Sequence, residues 1–197
     1  TNCQEIYAWG LRTPFRFAFD PNTGPDRFFI NDVRQGTREE VDLGAIGANY
    51  GWPIREGQCP IGLNPPCPSP ALPAGFTDPI TDYSRTDGHV ITAGAFIPNG
   101  HWPVEYDGGY LFADAFSGEM WLRRSNGSVD YANPFATGAN GIADMAFVTT
   151  ASSIALYYTL TGGEVRKITT APAPFVTPGA LAFQAIPPGT RILDTRL

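Results

Sequence analysis

No stretch of 12 or more residues in this chain keeps the 3.6-residue apolar period of a helix, which excludes helical architectures at the outset. In its place stand short runs rich in aromatic and β-branched side chains. They are Arg16-Phe-Ala-Phe-Asp, Arg27-Phe-Phe-Ile-Asn-Asp, Glu40-Val-Asp-Leu, Val90-Ile-Thr-Ala-Gly-Ala-Phe-Ile, Gly109-Tyr-Leu-Phe-Ala-Asp, Glu119-Met-Trp-Leu-Arg-Arg, Ile142-Ala-Asp-Met-Ala-Phe, Ile154-Ala-Leu-Tyr-Tyr-Thr and Gly163-Glu-Val-Arg-Lys-Ile. Each run has four to eight residues and is fenced by Gly, Asn, Asp or Pro, the signature of a strand between turns. The 22 Gly and 19 Pro, about a fifth of the 197 residues, supply those turns. The chain is expected to be all-β.

One order of elements recurs, as 15–43, 90–124 and 142–168: a strand, a turn, a second aromatic strand, a Gly turn, then a strand bearing charges. Units of three or four strands at such intervals predict propeller blades rather than a sandwich. Three blades do not close a ring, because propellers typically have four to eight, and open blade edges invite association. A second part of the ring is therefore the expected partner, on the same parent chain or another. The interval from Pro53 to Ile80 reads as an insert. Residues 170–185, opening on Thr170-Ala-Pro-Ala-Pro-Phe, read as a stiff Pro-rich linker.

The net charge of −6, from 13 basic and 19 acidic residues, makes a nucleic-acid partner a poor fit. No apolar run approaches the roughly 20 residues that span a bilayer. A basic n-region followed by an apolar segment is also missing at the N-terminus, so any secretion signal is expected to be removed or outside this chain. Cys59 and Cys67 lie in one Pro-rich loop and could close on each other, leaving Cys3 over. An oxidising, extracellular or periplasmic compartment fits that reading, with the partner of Cys3 upstream; a free thiol is the alternative.

Glu5-Ile-Tyr-Ala-Trp-Gly-Leu-Arg-Thr-Pro-Phe-Arg-Phe-Ala-Phe-Asp, Ile30-Asn-Asp-Val-Arg-Gln-Gly-Thr-Arg-Glu-Glu-Val-Asp-Leu and Gly47-Ala-Asn-Tyr-Gly-Trp-Pro occur in order. With Ile91-Thr-Ala-Gly-Ala-Phe, Tyr110-Leu-Phe-Ala-Asp and Gly163-Glu-Val-Arg-Lys-Ile, they resemble the second half of the glucose/sorbosone dehydrogenase family. The resemblance covers residues 1–169 as a domain and implies about three blades of a six-bladed β-propeller. It also implies the family chemistry: oxidation of an aldose at the anomeric carbon, with hydride passed to pyrroloquinoline quinone, calcium polarising the quinone, and a histidine as base. The base histidine belongs to the family's first half, and neither His89 nor His101 matches it.

Carried over residue by residue, Arg12 matches an arginine that faces the quinone, where a fixed planar cation suits a tricarboxylated cofactor. Thr13 follows it where the family has Asn. Arg34 and Gln35 fall where two backbone carbonyls hold the active-site calcium. Glu40 and Tyr50 match a second, structural calcium site, and oxygen donors of that kind suit a hard cation. The lysine and two arginines that grip the cofactor's carboxylates fall near Phe116, Gly141 and Ala143, none of them cationic. Desolvating a trianion without those charges is unfavourable. Two functions are therefore expected: a part of a sugar dehydrogenase-like propeller, or a non-catalytic extracellular propeller for binding or cell-surface assembly. Residues 186–197, with Arg191-Ile-Leu-Asp-Thr-Arg, resemble the opening of a further secreted β module.

Overall fold

The computed structural model describes residues 5–24, 26–63, 65, 74–149 and 154–170. Among these, twelve strands and one 3₁₀ turn (Val104–Tyr106) are present. The strands form three antiparallel sheets of three or four strands and one short ribbon. The first sheet holds β1 (Pro14–Phe19), β2 (Phe28–Asp32), β3 (Arg38–Leu43) and β6 (Thr81–Ser84) in that spatial order. Between β3 and β6 the ribbon of β4 (Arg55–Glu56) and β5 (Cys59–Pro60) folds out. The second sheet is β7 (Ile91–Phe96), β8 (Tyr110–Asp114) and β9 (Met120–Arg123). Bridges from Arg123 to Val129 and from Met120 to Ala136 extend it by an irregular outer segment. The third sheet is β10 (Ile142–Thr149), β11 (Ile154–Leu160) and β12 (Glu164–Ile168).

All nine expected strand runs are strands, and β6 is an addition that closes the first sheet across the insert. Its sequence, Thr-Asp-Tyr-Ser, offers one buried residue, Tyr83, so its apolar pattern is too thin to read. The linker at 170–185, the segment 186–197, Cys3 and Cys67 fall wholly or almost wholly outside the described residues. Cys59 is buried on β5. No helix among the described residues is long and apolar enough to cross a membrane.

The first strands of the three sheets lie side by side, β1 beside β7 and β7 beside β10, so the sheets radiate from a shared inner edge. Period-2 alternation then sends each strand's residues to two different interfaces. Phe29, Val41 and Tyr83 of the first sheet pack against Phe96, Tyr110, Phe112 and Trp121 of the second. Ala93, Ala95, Leu111 and Ala113, on the other face of the second sheet, pack against Ile142, Met145, Leu156 and Tyr158 of the third. A polar thread crosses all three. Asn31 Nδ2 donates to Thr92 O at 3.0 Å, Tyr110 Oη to Asn31 Oδ1 at 3.0 Å, and Thr92 Oγ1 to Ile142 O at 2.7 Å.

Gly94 lies where this thread is tightest: a Cβ there would sit 2.6 Å from Tyr110 Cζ and 2.8 Å from Asn31 Nδ2. The outer faces of the array are different. Phe17 and Phe19 on β1, 63% and 58% exposed, gather with Phe28 and Tyr7 into an aromatic patch that no described blade covers. Val148 and Val165 are exposed on the third sheet.

Candidate functional site

Strand direction puts the ends of β2, β6, β8 and β11 and the starts of β1, β3, β7 and β10 on one rim of the array. Four of the five site residues read from the sequence are brought together there. The fifth, Tyr50, packs with Ile30 and Ala48 in a small core on the outer side of the first sheet.

Arg12 is placed by its own backbone. Its N–H and that of Thr13 donate to the two oxygens of Asp32 at 2.9 and 2.6 Å. The Arg12 guanidinium stays exposed, 5.7 Å from the Trp52 ring, while Nη1 donates to Val33 O at 3.1 Å and Arg34 O at 3.3 Å. A second arginine, Arg85, reaches the same carbonyl. Its Nη2 donates to Arg34 O at 3.4 Å, its Nε to Gly36 O at 3.0 Å, and its Nη1 to His89 O. Of the two carbonyls that the resemblance gives to the active-site calcium, that of Arg34 thus already accepts two guanidiniums. A divalent ion on that oxygen would face two positive charges already bonded to it, so the Arg34 carbonyl does not fit the ion.

Gln35 is fixed through its backbone. Glu56 accepts the N–H groups of Gln35 (2.5 Å), Gly36 (3.0 Å) and Thr37 (2.9 Å) and the Thr37 hydroxyl (2.7 Å), pinning the 35–37 turn. Partial burial pushes the Glu56 carboxyl up, but these donors favour the charged form more and hold it below the usual range.

Beneath the rim lies a charge cluster with no access to water. Because Asp32 pairs with Glu40 and Ile30 with Asp42 across β2 and β3, all three acids share the outer face of the sheet. All are buried, and one oxygen from each lies within 4.8 Å of the others. The Arg34 side chain runs into this group, its Nε 3.2 Å from Asp32 Oδ2 and its Nη2 bonded to Glu40 Oε2. Glu40 Oε1 accepts the Gly57 N–H. Burial raises all three carboxyls, Glu40 to about 7 and Asp42 well above its ordinary value, with Arg34 pulling the other way.

Tyr50 does not join Glu40 as an ion ligand. Its hydroxyl donates to Leu43 O at 2.6 Å and accepts from Ala45 N at 3.2 Å, while its carbonyl accepts Arg55 Nε at 3.2 Å. Each oxygen of the pair that the resemblance assigns to the structural calcium is thus bonded to protein donors, Glu40 to Arg34 and Tyr50 to Arg55. On the inner face Glu39 is buried, accepts Arg34 N at 3.3 Å and Ile91 N at 3.2 Å, and pairs with Arg85 at 3.4 Å. Burial pushes its carboxyl up to about 8.

Asp32, Asp42, Arg55 and Arg85 are not among the residues read from the sequence. The alternation in Glu39-Glu-Val-Asp holds the signal for Asp42: counting by two from Glu40 reaches it. Arg85 sits in a turn, where no period exists to read. Near the expected cofactor grip, Phe116 is exposed and packs its ring 4.4 Å from His89, and Gly141 takes a positive φ of 77°. The His89 N–H donates to Asp114 Oδ2 at 2.6 Å, so backbone and ring are both engaged in the turn.

Radiating sheets with shared inner edges define a part of a β-propeller, and the comparisons agree. The fold matches the PQQ-bound aldose sugar dehydrogenase of Streptomyces coelicolor at a TM-score of 0.54 and 23% identity, over 82% of this chain and 44% of that one. It matches the apo-form soluble aldose sugar dehydrogenase of Escherichia coli at a TM-score of 0.59 and 22% identity, over 78% and 43%. Among curated proteins, HIPL2 protein of Arabidopsis thaliana is 36% identical over 126 residues, and HIPL1 protein of the same plant 35% over 130. Each alignment takes in 59% of this chain, and the chain spans only 18% of either relative's length. No protein-family model matches the chain. In sequence the chain is similar to the HIPL proteins, and in fold it matches part of the propeller of the aldose sugar dehydrogenases.

Proposed function

We propose that this chain forms about three blades of a six-bladed extracellular propeller, and that the ring it completes serves binding and assembly rather than calcium-held quinone oxidation of an aldose. The observation that carries this reading is the double occupancy of the Arg34 carbonyl by Arg12 at 3.3 Å and Arg85 at 3.4 Å. An ion that polarises a quinone needs free oxygen ligands, and here two protein cations bond the Arg34 carbonyl. The replacement of the cationic grip by Phe116, Gly141 and Ala143 supports the same reading, because a trianion would then enter the site with little compensation.

The enzymatic reading keeps one observation. Arg12 remains exposed on the rim, at the position that the resemblance turns toward the quinone. The test is dye reduction by the complete propeller with pyrroloquinoline quinone, calcium chloride and a panel of aldoses. The expected outcome is no turnover above the quinone blank. Aldose-dependent dye reduction that Arg12→Ala abolishes would establish the enzymatic reading instead.

A further inference from the structure

We infer that the Arg34 guanidinium stands in for a divalent cation, holding a three-carboxylate cage closed without metal. The cage is built by strand register, not by loops: Asp32 on β2 faces Glu40 and Asp42 on β3, and their nearest oxygens lie within 4.8 Å of one another. That spacing and an all-oxygen donor set are what a hard cation requires. Two of the acids are also aimed from behind. The Arg12 and Thr13 amides fix both oxygens of Asp32, and the Gly57 amide fixes one oxygen of Glu40. Carboxylates restrained in this way are arranged for a charge between them, and Arg34, itself without solvent exposure, provides it.

The stand-in is geometrically incomplete, which marks the cage as larger than the guanidinium's donors can serve. Arg34 pairs with Asp32 and Glu40, yet among the described residues both oxygens of Asp42 and the Nε and Nη1 of Arg34 are buried with no hydrogen-bond partner. A small ion at the centre could take an oxygen from all three acids, whereas a planar fork can align with two. Arginine and metal exclude each other here, because an ion on the same oxygens would sit in contact with a fixed positive charge. This inference concerns the buried side chain of Arg34, not its carbonyl, and it stands whether or not the rim supports catalysis.

Calcium titration by calorimetry on the complete propeller tests it, since counting sites separates this cage from any other. Arg34→Gly is expected to bind one calcium ion more than the unmodified protein, and Arg34→Gly with Glu40→Gln and Asp42→Asn to lose that ion again. The melting midpoint of Arg34→Gly is expected to rise with calcium, while that of the unmodified protein stays within a degree with calcium or chelator. An equal site count in the unmodified protein and Arg34→Gly overturns the inference. So does loss of an ion when Glu40→Gln and Asp42→Asn are made with Arg34 intact, or an Arg34→Gly chain that gains neither folding nor stability from calcium.

Discussion

Arg34 and Glu40 form an ion pair from which water is excluded: Nη2 of one bonds Oε2 of the other, and their side chains are 0% and 1% exposed. Such a pair contributes little net stability as a unit, yet removing one partner strands a buried charge at a cost of about 3–5 kcal/mol. Arg34→Met and Glu40→Leu are each expected to lower unfolding stability by that amount in urea titrations. The double variant should recover part of the loss relative to Arg34→Met, because one of the three buried carboxylates left without Arg34 is then gone. Strictly additive losses would show the two groups to be uncoupled.

A pH dependence follows from Glu39 and Glu40, whose carboxyls burial raises to about 8 and about 7. In the unfolded chain both ionise near their ordinary value of 4.5. Between these values the folded state holds protons that the unfolded state has released. Stability from this source is therefore complete below pH 4.5 and is lost as pH rises through 7 and 8. Each group supplies a slope of up to about 1.4 kcal/mol per pH unit within that window. Glu39→Gln removes one titrating group and should flatten the fall in melting midpoint between pH 5 and pH 8. An unchanged slope would place the proton uptake elsewhere.

Much of this fold was legible because propeller strands carry their information in period-2 alternation, a local signal. Phe29 and Val41 turn to one interface, Ile30 and Asp42 to the other, and the runs that hold them stand out between Gly and Asn turns. The site was legible only in part, because its decisive contacts are long-range. Nothing in the spacing of Arg12, Arg34 and Arg85 says that two of these guanidiniums end on the carbonyl of the third. The family resemblance marked Arg34 and Gln35 for their carbonyls and Glu40 for its carboxylate. It carried no information on the Arg34 side chain, whose length lets it reach the acids that flank it.

Gly94 is required by close approach rather than by backbone conformation. A Cβ there would collide with Tyr110 Cζ at 2.6 Å and Asn31 Nδ2 at 2.8 Å, both locked in the thread between the first two sheets. Gly94→Ala is expected to cost about 1–3 kcal/mol, the range of an overpacked core. A pairing of Gly94→Ala with Tyr110→Phe should recover some of it, because the hydroxyl is the first atom met. If the single variant melts with the unmodified protein, the two sheets yield more freely than their packing implies.

Phe17 and Phe19 are the residues on which the rest of the ring should register. They lie on the inner strand of the first sheet with Phe28 at 6.1 and 5.1 Å between ring centroids, and both present more than half their surface to solvent. Solvated singly, exposed aromatics are unremarkable. A contiguous group on an open blade face marks an interface. Covering it with a preceding blade would contribute about 1.5–3 kcal/mol for each ring buried. The chain on its own is therefore expected to self-associate in sedimentation velocity, and Phe17→Lys with Phe19→Lys to return it toward monomer. In the complete propeller the same two substitutions should lower the melting midpoint, because they place two charges in the seam. Suppressed self-association together with an unshifted midpoint would mean that the ring closes on another surface, leaving these phenylalanines for a separate partner.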